Sequence, residues 1–408
     1  MRGAALASLA ENITADVCVV GAGFAGLTTA LELARLGKSV VLLEAGRVAG
    51  GASGRNGGFV SNGFALGIQD VAKHVGLDDA RSLYDLSRMG TDFVRQTIAT
   101  YDPSVKSGDG LRVCIRHDDK GGLHAYGRTL QDNFAEHVQP FSVDETRSLL
   151  DTKRYFTSIA FPKALHIHPL RYGLLLLRLC LEAGVRVYEH ARVTHVEKLR
   201  DGVRVQTKTG DVNAGQVVYC LSALDRTLHQ PTGRAVLPVS TYVAVTEPLD
   251  QSVIRTHEAI ADTRRAGDYY RLIEGNRILW GGRITTRVSE PRRLAEAMRG
   301  DMLSTFPKLG QPKIDFAWAG IMAYALHKMP LIGRDSQGQW FATGFGGHGL
   351  NTTAMAGVLL ARAIANGDDR YQRFAAFAPR YAFGPLGRVG VQSTYWWMQT
   401  RDKWEERG

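Results

Sequence analysis

The sequence predicts an α/β protein: a parallel-sheet nucleotide-binding domain interrupted by an inserted antiparallel-sheet α+β domain. Three observations carry that expectation. A β-α-β pattern with a glycine-rich turn fills residues 1–44, strand-like alternation dominates 236–246 and 269–281, and a short strand, a glycine loop and a helix return over 340–365. Nucleotide-binding character therefore comes in separated pieces. The expected division is 1–85, 146–225 and 315–383 for a discontinuous first domain, 86–145 and 226–314 for the second, and 384–408 for a C-terminal helical tail.

In chain order, residues 16–20 (DVCVV) form a short apolar, β-branched run before a glycine turn, the pattern of a buried parallel strand. Residues 26–36 have helical periodicity, with Leu27, Ala30, Leu31 and Ala34 on one face, and Gly37 stands just past the helix end. Residues 39–43 (SVVLL) are the next buried strand, ending at Glu44. Residues 71–100 predict helix and 111–115 strand. Residues 169–183 are a strongly apolar helix stopped by Gly184. Strands are expected at 185–188, 192–197 and 203–207, with Asp201-Gly202 as the hairpin turn between the last two, and again at 216–221. Residues 340–343 make a short strand running into glycines, and 351–365 a helix.

Hydrophobic residues make up 44% of the chain and charged residues 22%, ordinary values for a soluble globular protein. No uninterrupted apolar stretch is long enough to predict a membrane span. Glu11, Asn12 and Thr14 cut short a faintly signal-like start, so no cleaved signal is expected. The four cysteines, Cys18, Cys114, Cys180 and Cys220, lack C-x-x-C spacing, which predicts buried free thiols and a reducing, cytoplasmic setting. The net charge of +10 attracts anions, but the basic residues are dispersed, which favours a solvated surface over a nucleic-acid-binding stripe.

Gly21-Ala22-Gly23-Phe24-Ala25-Gly26 is a G-x-G-x-x-G turn between a strand and a helix, answered by Glu44 at the tip of the next strand. Gly21 permits the tight turn, Gly23 lets a pyrophosphate approach the backbone, and Gly26 lets helix and strand pack closely. The helix N-terminus offers N–H groups to phosphates, and Phe24 and Ala25, within the turn, are expected among the cofactor-binding residues. Glu44 would accept both hydroxyls of an adenosine ribose and repel a phosphorylated one. These features specify a Rossmann-type dinucleotide site without deciding between NAD and FAD.

A second glycine loop, Gly50-Gly51-Ala52-Ser53-Gly54-Arg55-Asn56-Gly57-Gly58, follows at once. An NAD domain does not need it, whereas a longer cofactor must thread past the backbone there. Together with Val19–Leu27 and Glu44-Ala45, this G-A-S-G-R-N-G-G form resembles the D-amino-acid oxidase-like superfamily of FAD amine oxidoreductases, and most of all its γ-glutamylputrescine oxidoreductase branch. The resemblance implies FAD as cofactor. It places Ser53 on the pyrophosphate side, Arg55, Asn56, Gly57 and Gly58 along the flavin, and the backbone of Val193 against adenine. It extends to His168-Pro169, to Tyr269-Tyr270-Arg271 and Trp280–Arg283, and to Met329–Gly333. The last glycine loop, Gly344-Phe345-Gly346-Gly347-His348-Gly349-Leu350-Asn351-Thr352, would bring a helix N-terminus to the flavin pyrimidine edge, where reduction puts negative charge. Asn351, Thr352 or Thr353 is expected to cap that helix.

Two departures from the family pattern matter. None of the four cysteines lies just before the last glycine loop, so FAD is expected to be non-covalent. Many amino-acid oxidases of the family carry Arg two residues after the glycine of W-x-G. Here Trp318-Ala319-Gly320-Ile321-Met322 puts Met in that place, which removes the usual α-carboxylate clamp.

The implied reaction is hydride transfer from a small amine or amino acid, such as a γ-glutamyl polyamine, with hydrolysis of the resulting imine and reoxidation by O2 or another acceptor. Such chemistry needs positioning and exclusion of water more than nucleophiles or metals. No metal site is expected: His166 and His168 have strand spacing and no evident carboxylate partners. The candidate catalytic residues are Tyr270, Arg271, Arg283, Lys328 and His348. The two arginines would hold a carboxylate bidentately, His348 would tune the flavin or touch substrate, and Lys328 would meet a water or oxygen. Tyr324 and Trp280 are expected to be packing residues. An NAD-linked dehydrogenase is disfavoured by the extra glycine loops, and a flavin hydroxylase by G-F-G-G-H-G in place of G-D-A. Action on a modified tRNA base and a non-catalytic flavin-binding subunit are the remaining alternatives.

Overall fold

Residues 3–250, 253–264 and 267–406 are described by the computed structural model. An eight-stranded sheet begins with Ile13–Val20, whose inner half is apolar and fully buried. It pairs in parallel with Val40–Leu43 on one side and Asp211–Tyr219 on the other. Arg186–Tyr188 and Trp340–Thr343 extend the sheet in parallel, and Leu331–Arg334 closes one edge antiparallel. Buried on both faces, these strands read as continuous apolar runs. Side chains alternate between two cores. Val17, Val19, Val40 and Leu42 face the helices Phe24–Arg35, Leu77–Tyr101, Pro169–Glu182 and Gly349–Asn366. Cys18, Val20, Val41 and Leu43 face the hairpin His195–Leu199 and Gly202–Gln206.

The second sheet has nine strands. Six of them follow the order Ile314–Ala325, Val236–Thr246, Arg277–Thr285, Tyr269–Ile273, Ala259–Asp262 and Lys106–Cys114, and Ser158–Ile167 and Phe59–Val60 continue it. All of these neighbours are antiparallel except Ala259–Asp262 with Lys106–Cys114. Tyr270, Trp280, Phe306, Met298 and Met302 form the core between this sheet and the helix Leu294–Thr305.

Several expectations are corrected. The helix expected over 71–100 is two helices, Ile68–Val75 and Leu77–Tyr101, separated at Gly76 with φ of 87°. The hairpin turn falls on Arg200 and Asp201, and Gly202 already belongs to the returning strand. Residues 192–194 precede the strand rather than open it. The pairing also cuts across the expected division of the chain. Residue 85 lies inside the helix Leu77–Tyr101, and Phe59–Val60, Ser158–Ile167 and Ile314–Ala325 all pair into the nine-stranded sheet. Cys18, Cys114, Cys180 and Cys220 are buried free thiols.

Candidate active site

The three glycine loops converge on a cavity of about 730 Å³ between the two sheets, a volume suited to a dinucleotide-sized ligand. At one end stand Gly21, Gly23, Glu44, Ala45 and Val193; toward the other stand Gly57, Gly58, Tyr269, Met322, Tyr324 and His348.

The first loop is built for close approach. Gly21 has φ of 102°, and a Cβ there would meet the Cys220 carbonyl at 2.5 Å. A Cβ on Gly26 would stand 1.9 Å from the Gly21 carbonyl, so this glycine lies beneath the cavity and locks helix to strand. Gly23 begins the helix Phe24–Arg35 without a side-chain cap of its own. Ser53 reaches across from the second loop to accept the Phe24 N–H at 3.0 Å. Glu44 accepts the Ala22 N–H at one carboxylate oxygen and the Gly46 N–H at the other, each at 2.8 Å. Phe24, Ala25 and Val193 also line the cavity.

The second loop is held by its own asparagine. Asn56 donates to the carbonyls of Ala52 and Ser53, and its Oδ1 accepts the Gly58 N–H at 2.8 Å. Gly58 has φ of 84°, and a Cβ there would meet the Ile167 carbonyl at 2.0 Å. Arg55 donates to the Gly50 carbonyl, while its own carbonyl accepts the Trp318 indole N–H at 2.9 Å. This pins the loop to the strand Ile314–Ala325.

The third loop delivers Gly346, Gly347, His348, Gly349 and Leu350 to the cavity. The helix Gly349–Asn366 starts at His348 with no side-chain cap, which corrects the expected capping by Asn351, Thr352 or Thr353. Asn351 donates to the Gly63 carbonyl, and the two threonine hydroxyls bond back to the carbonyls of His348 and Gly349. Gly344 (φ 71°) turns the chain out of its strand; it and Asn351 and Thr352 stay behind the cavity wall. The helix N-terminus is thus left to the cavity.

His348 lies against the carbonyls of Ser61 and Asn62 at 3.2 and 3.1 Å through Nε2. That places a proton on Nε2, and burial lowers the pKa, so the imidazole is neutral.

Three of the other four candidate catalytic residues stand elsewhere, and one stands behind the wall. Tyr270 is fully buried, stacked on Trp280 at 4.4 Å and donating to the Tyr155 hydroxyl. Successive strand side chains face opposite ways, so it is Tyr269 that meets the cavity. Arg271 shares the face of Tyr269 but lies under the second loop. Arg283 was expected beside it and is not. A bulge shifts the register between Ser240–Thr285 and Tyr242–Gly282 and gives Arg283 a φ of 53°. Ile284 faces the cavity instead, and Arg283 pairs with Asp301 on the far side. Lys328 occupies a turn with φ of 61° beyond the strand Ile314–Ala325 and does not line the cavity. No paired-arginine clamp is formed.

Tyr269 and Tyr324 are the residues that sequence reasoning missed. Burial pushes the Tyr269 hydroxyl up to about 12, so the phenol stays protonated. The Tyr324 hydroxyl accepts the Gly347 N–H at 2.8 Å, so this residue is part of the site and not packing alone. Trp280 is packing, as expected. Strand alternation through Trp318, Gly320, Met322 and Tyr324 was the available signal, because it places Met322 and Tyr324 on one face.

A model of the family described as "FAD dependent oxidoreductase" matches residues 16–363. The probable oxidoreductase OrdL of Haemophilus influenzae is 34% identical over 385 residues, 92% of this chain and 88% of that protein. The gamma-glutamylputrescine oxidoreductase of Escherichia coli is 32% identical over 389 residues, covering 94% and 90%. The crystal structure of glycine oxidase from Geobacillus kaustophilus superposes with a TM-score of 0.77 at 18% identity, over 90% of this chain and 98% of that one.

Proposed function

Because the chain belongs to the FAD dependent oxidoreductase family, with FAD as its cofactor, we propose that it oxidises the C–N bond of an amine whose reacting carbon bears no carboxylate. A γ-glutamyl polyamine, with its carboxylate far from the reacting amine, fits that description.

One observation carries the reading. Where amino-acid oxidases of the family hold arginine, Met322 lines the cavity, beside Tyr269, Tyr324, Phe59, Thr241 and Ile284. The side chains of this wall are uncharged. The charged residues among the described lining are Glu44, Arg55, Arg192 and Asp225; Glu44 and Arg192 stand with Val193 at the opposite end, and the Arg55 guanidinium is turned to the Gly50 and Ala319 carbonyls. A carboxylate on the reacting carbon would be desolvated there with no arginine in the place of Met322 to pair with it directly. An amine would instead be stripped of water, which favours its unprotonated, reactive form.

Bound FAD supplies the hydride acceptor. The chain's own groups position and shield. The Tyr269 phenol, kept protonated, serves as a hydrogen-bonding group for the amine. Tyr324 and His348 fix the third loop, and the helix N-terminus behind them offers backbone dipoles to negative charge. The intact glycine cradle and the helix starts at Gly23 and His348, neither of which supplies a side-chain cap, fit the cofactor. The four buried cysteines support non-covalent attachment. Cys220 alone lines the cavity, beside Gly21 and Gly26 and so at the Glu44 end. Anaerobic mixing with amines, N-methyl amino acids, amino acids and γ-glutamyl amines tests the proposal. Bleaching of the visible flavin band by an amine class supports it, and a yellow protein that no amine bleaches removes it.

A further inference from the structure

Three arginines are buried in the described chain: Arg112, Arg116 and Arg271. Arg112 pairs with Glu258, and Arg116 pairs with Asp262 and Asp268. Arg271 is different. It is 2% exposed, and among the described residues its partners are neutral: the Gly57 carbonyl at 2.8 Å, the Ile167 carbonyl at 2.8 Å and the Nδ1 of His166 at 3.3 Å. His166 lies against the His257 carbonyl through Nε2 at 2.8 Å, which fixes the proton there and leaves Nδ1 free to accept. Burial holds His166 neutral, with a pKa near 4.

A buried cation without an anion is costly, and negative charge brought close to it is stabilised. The guanidinium sits directly behind Gly57 and Gly58, both of which line the cavity. A Cβ on Gly58 would lie 3.1 Å from the Arg271 Nη2. The backbone of Gly57 and Gly58, with no side chain of its own, stands between this charge and the cavity.

We propose that Arg271 is a positioning residue whose charge, delivered through the Gly57–Gly58 wall, stabilises the negative charge that bound FAD gains on reduction. It shapes the second loop by holding its carbonyls, and it raises the reduction potential of the cofactor. The inference rests on FAD lying along this loop. It does not depend on which amine is the substrate.

The test is the two-electron midpoint potential of bound FAD, by dye-coupled titration, in the full chain and in Arg271→Gln and Arg271→Lys. Glutamine keeps an amide donor for the Gly57 carbonyl but removes the charge; lysine keeps the charge but loses the fork. Arg271→Gln is expected to lower the equilibrium constant for reduction about tenfold, a fall of about 30 mV. Arg271→Lys is expected to stay within about threefold of the parent. An unchanged potential in Arg271→Gln, or an equal fall in both variants, overturns the proposal. Should Arg271→Gln hold no FAD, His166→Leu replaces it: this removes one neutral acceptor and leaves the charge. A potential within about threefold of the parent in both His166→Leu and Arg271→Lys then supports the proposal, and a tenfold fall in either overturns it. None of these readouts involves an amine, so failure here leaves the substrate reading standing.

Discussion

The hydroxyl of Tyr324 accepts the backbone N–H of Gly347 at 2.8 Å, tying the long strand of the second sheet to the glycine loop before the last helix. The contact is close on both sides, since a Cβ on Gly346 would meet the Tyr324 ring at 2.6 Å. Tyr324→Phe keeps the ring and removes the acceptor. It is expected to lower the unfolding free energy by about 1 kcal/mol and to raise KM for the amine, read by urea unfolding and steady-state kinetics.

Gly58 combines φ of 84° with a Cβ position 2.0 Å from the Ile167 carbonyl. Gly58→Ala is expected to displace the second loop, to cost about 1–3 kcal/mol, and to yield protein purified largely without flavin. The ratio of visible to ultraviolet absorbance checks it.

Glu44 accepts an N–H at each carboxylate oxygen. In Glu44→Gln the amide NH2 must face one of those donors, leaving an N–H unpaired. FAD affinity, measured by fluorescence titration of the apoprotein, is expected to fall about tenfold.

His166 has its pKa lowered from 6.5 to about 4, by burial first and then by the Arg271 charge. The folded state therefore binds fewer protons than the unfolded state between these values. Its contribution is complete above about 6.5 and is lost as the pH falls toward 4. His166→Asn is expected to flatten the pH dependence of stability in that window, a difference of up to about 3 kcal/mol in unfolding free energy.

Much of this was legible in the sequence, and the rest fails for definable reasons. Gly21, Gly23, Gly26, Glu44 and the second loop are readable because their backbone demands admit few residue types. The strands Val236–Thr246 and Trp340–Thr343 fall where the pattern places them. Tyr270 and Arg283 were misplaced because alternation says that neighbours face opposite ways, not which way the sheet faces. The bulge at Arg283 then reverses the parity. The strand Ser158–Ile167 was passed over because Pro162 and Lys163 interrupt its pattern. Asn351 resembled a cap, but the helix begins earlier, at Gly349, and the amide is spent on the Gly63 carbonyl.

Met322→Arg would install the cation that the neutral wall lacks. The ratio of kcat/KM for an α-amino acid to that for an amine is expected to rise about tenfold or more. An unchanged ratio would place substrate away from this strand.

The central claim concerns the reacting carbon, and stopped-flow anaerobic bleaching of the flavin tests it most directly. A γ-glutamyl amine is compared with α-amino acids at equal concentration. The account predicts rapid bleaching by the γ-glutamyl amine and little or none by the α-amino acids. Faster bleaching by the α-amino acids would contradict it and would mean that the site holds a carboxylate without the missing arginine.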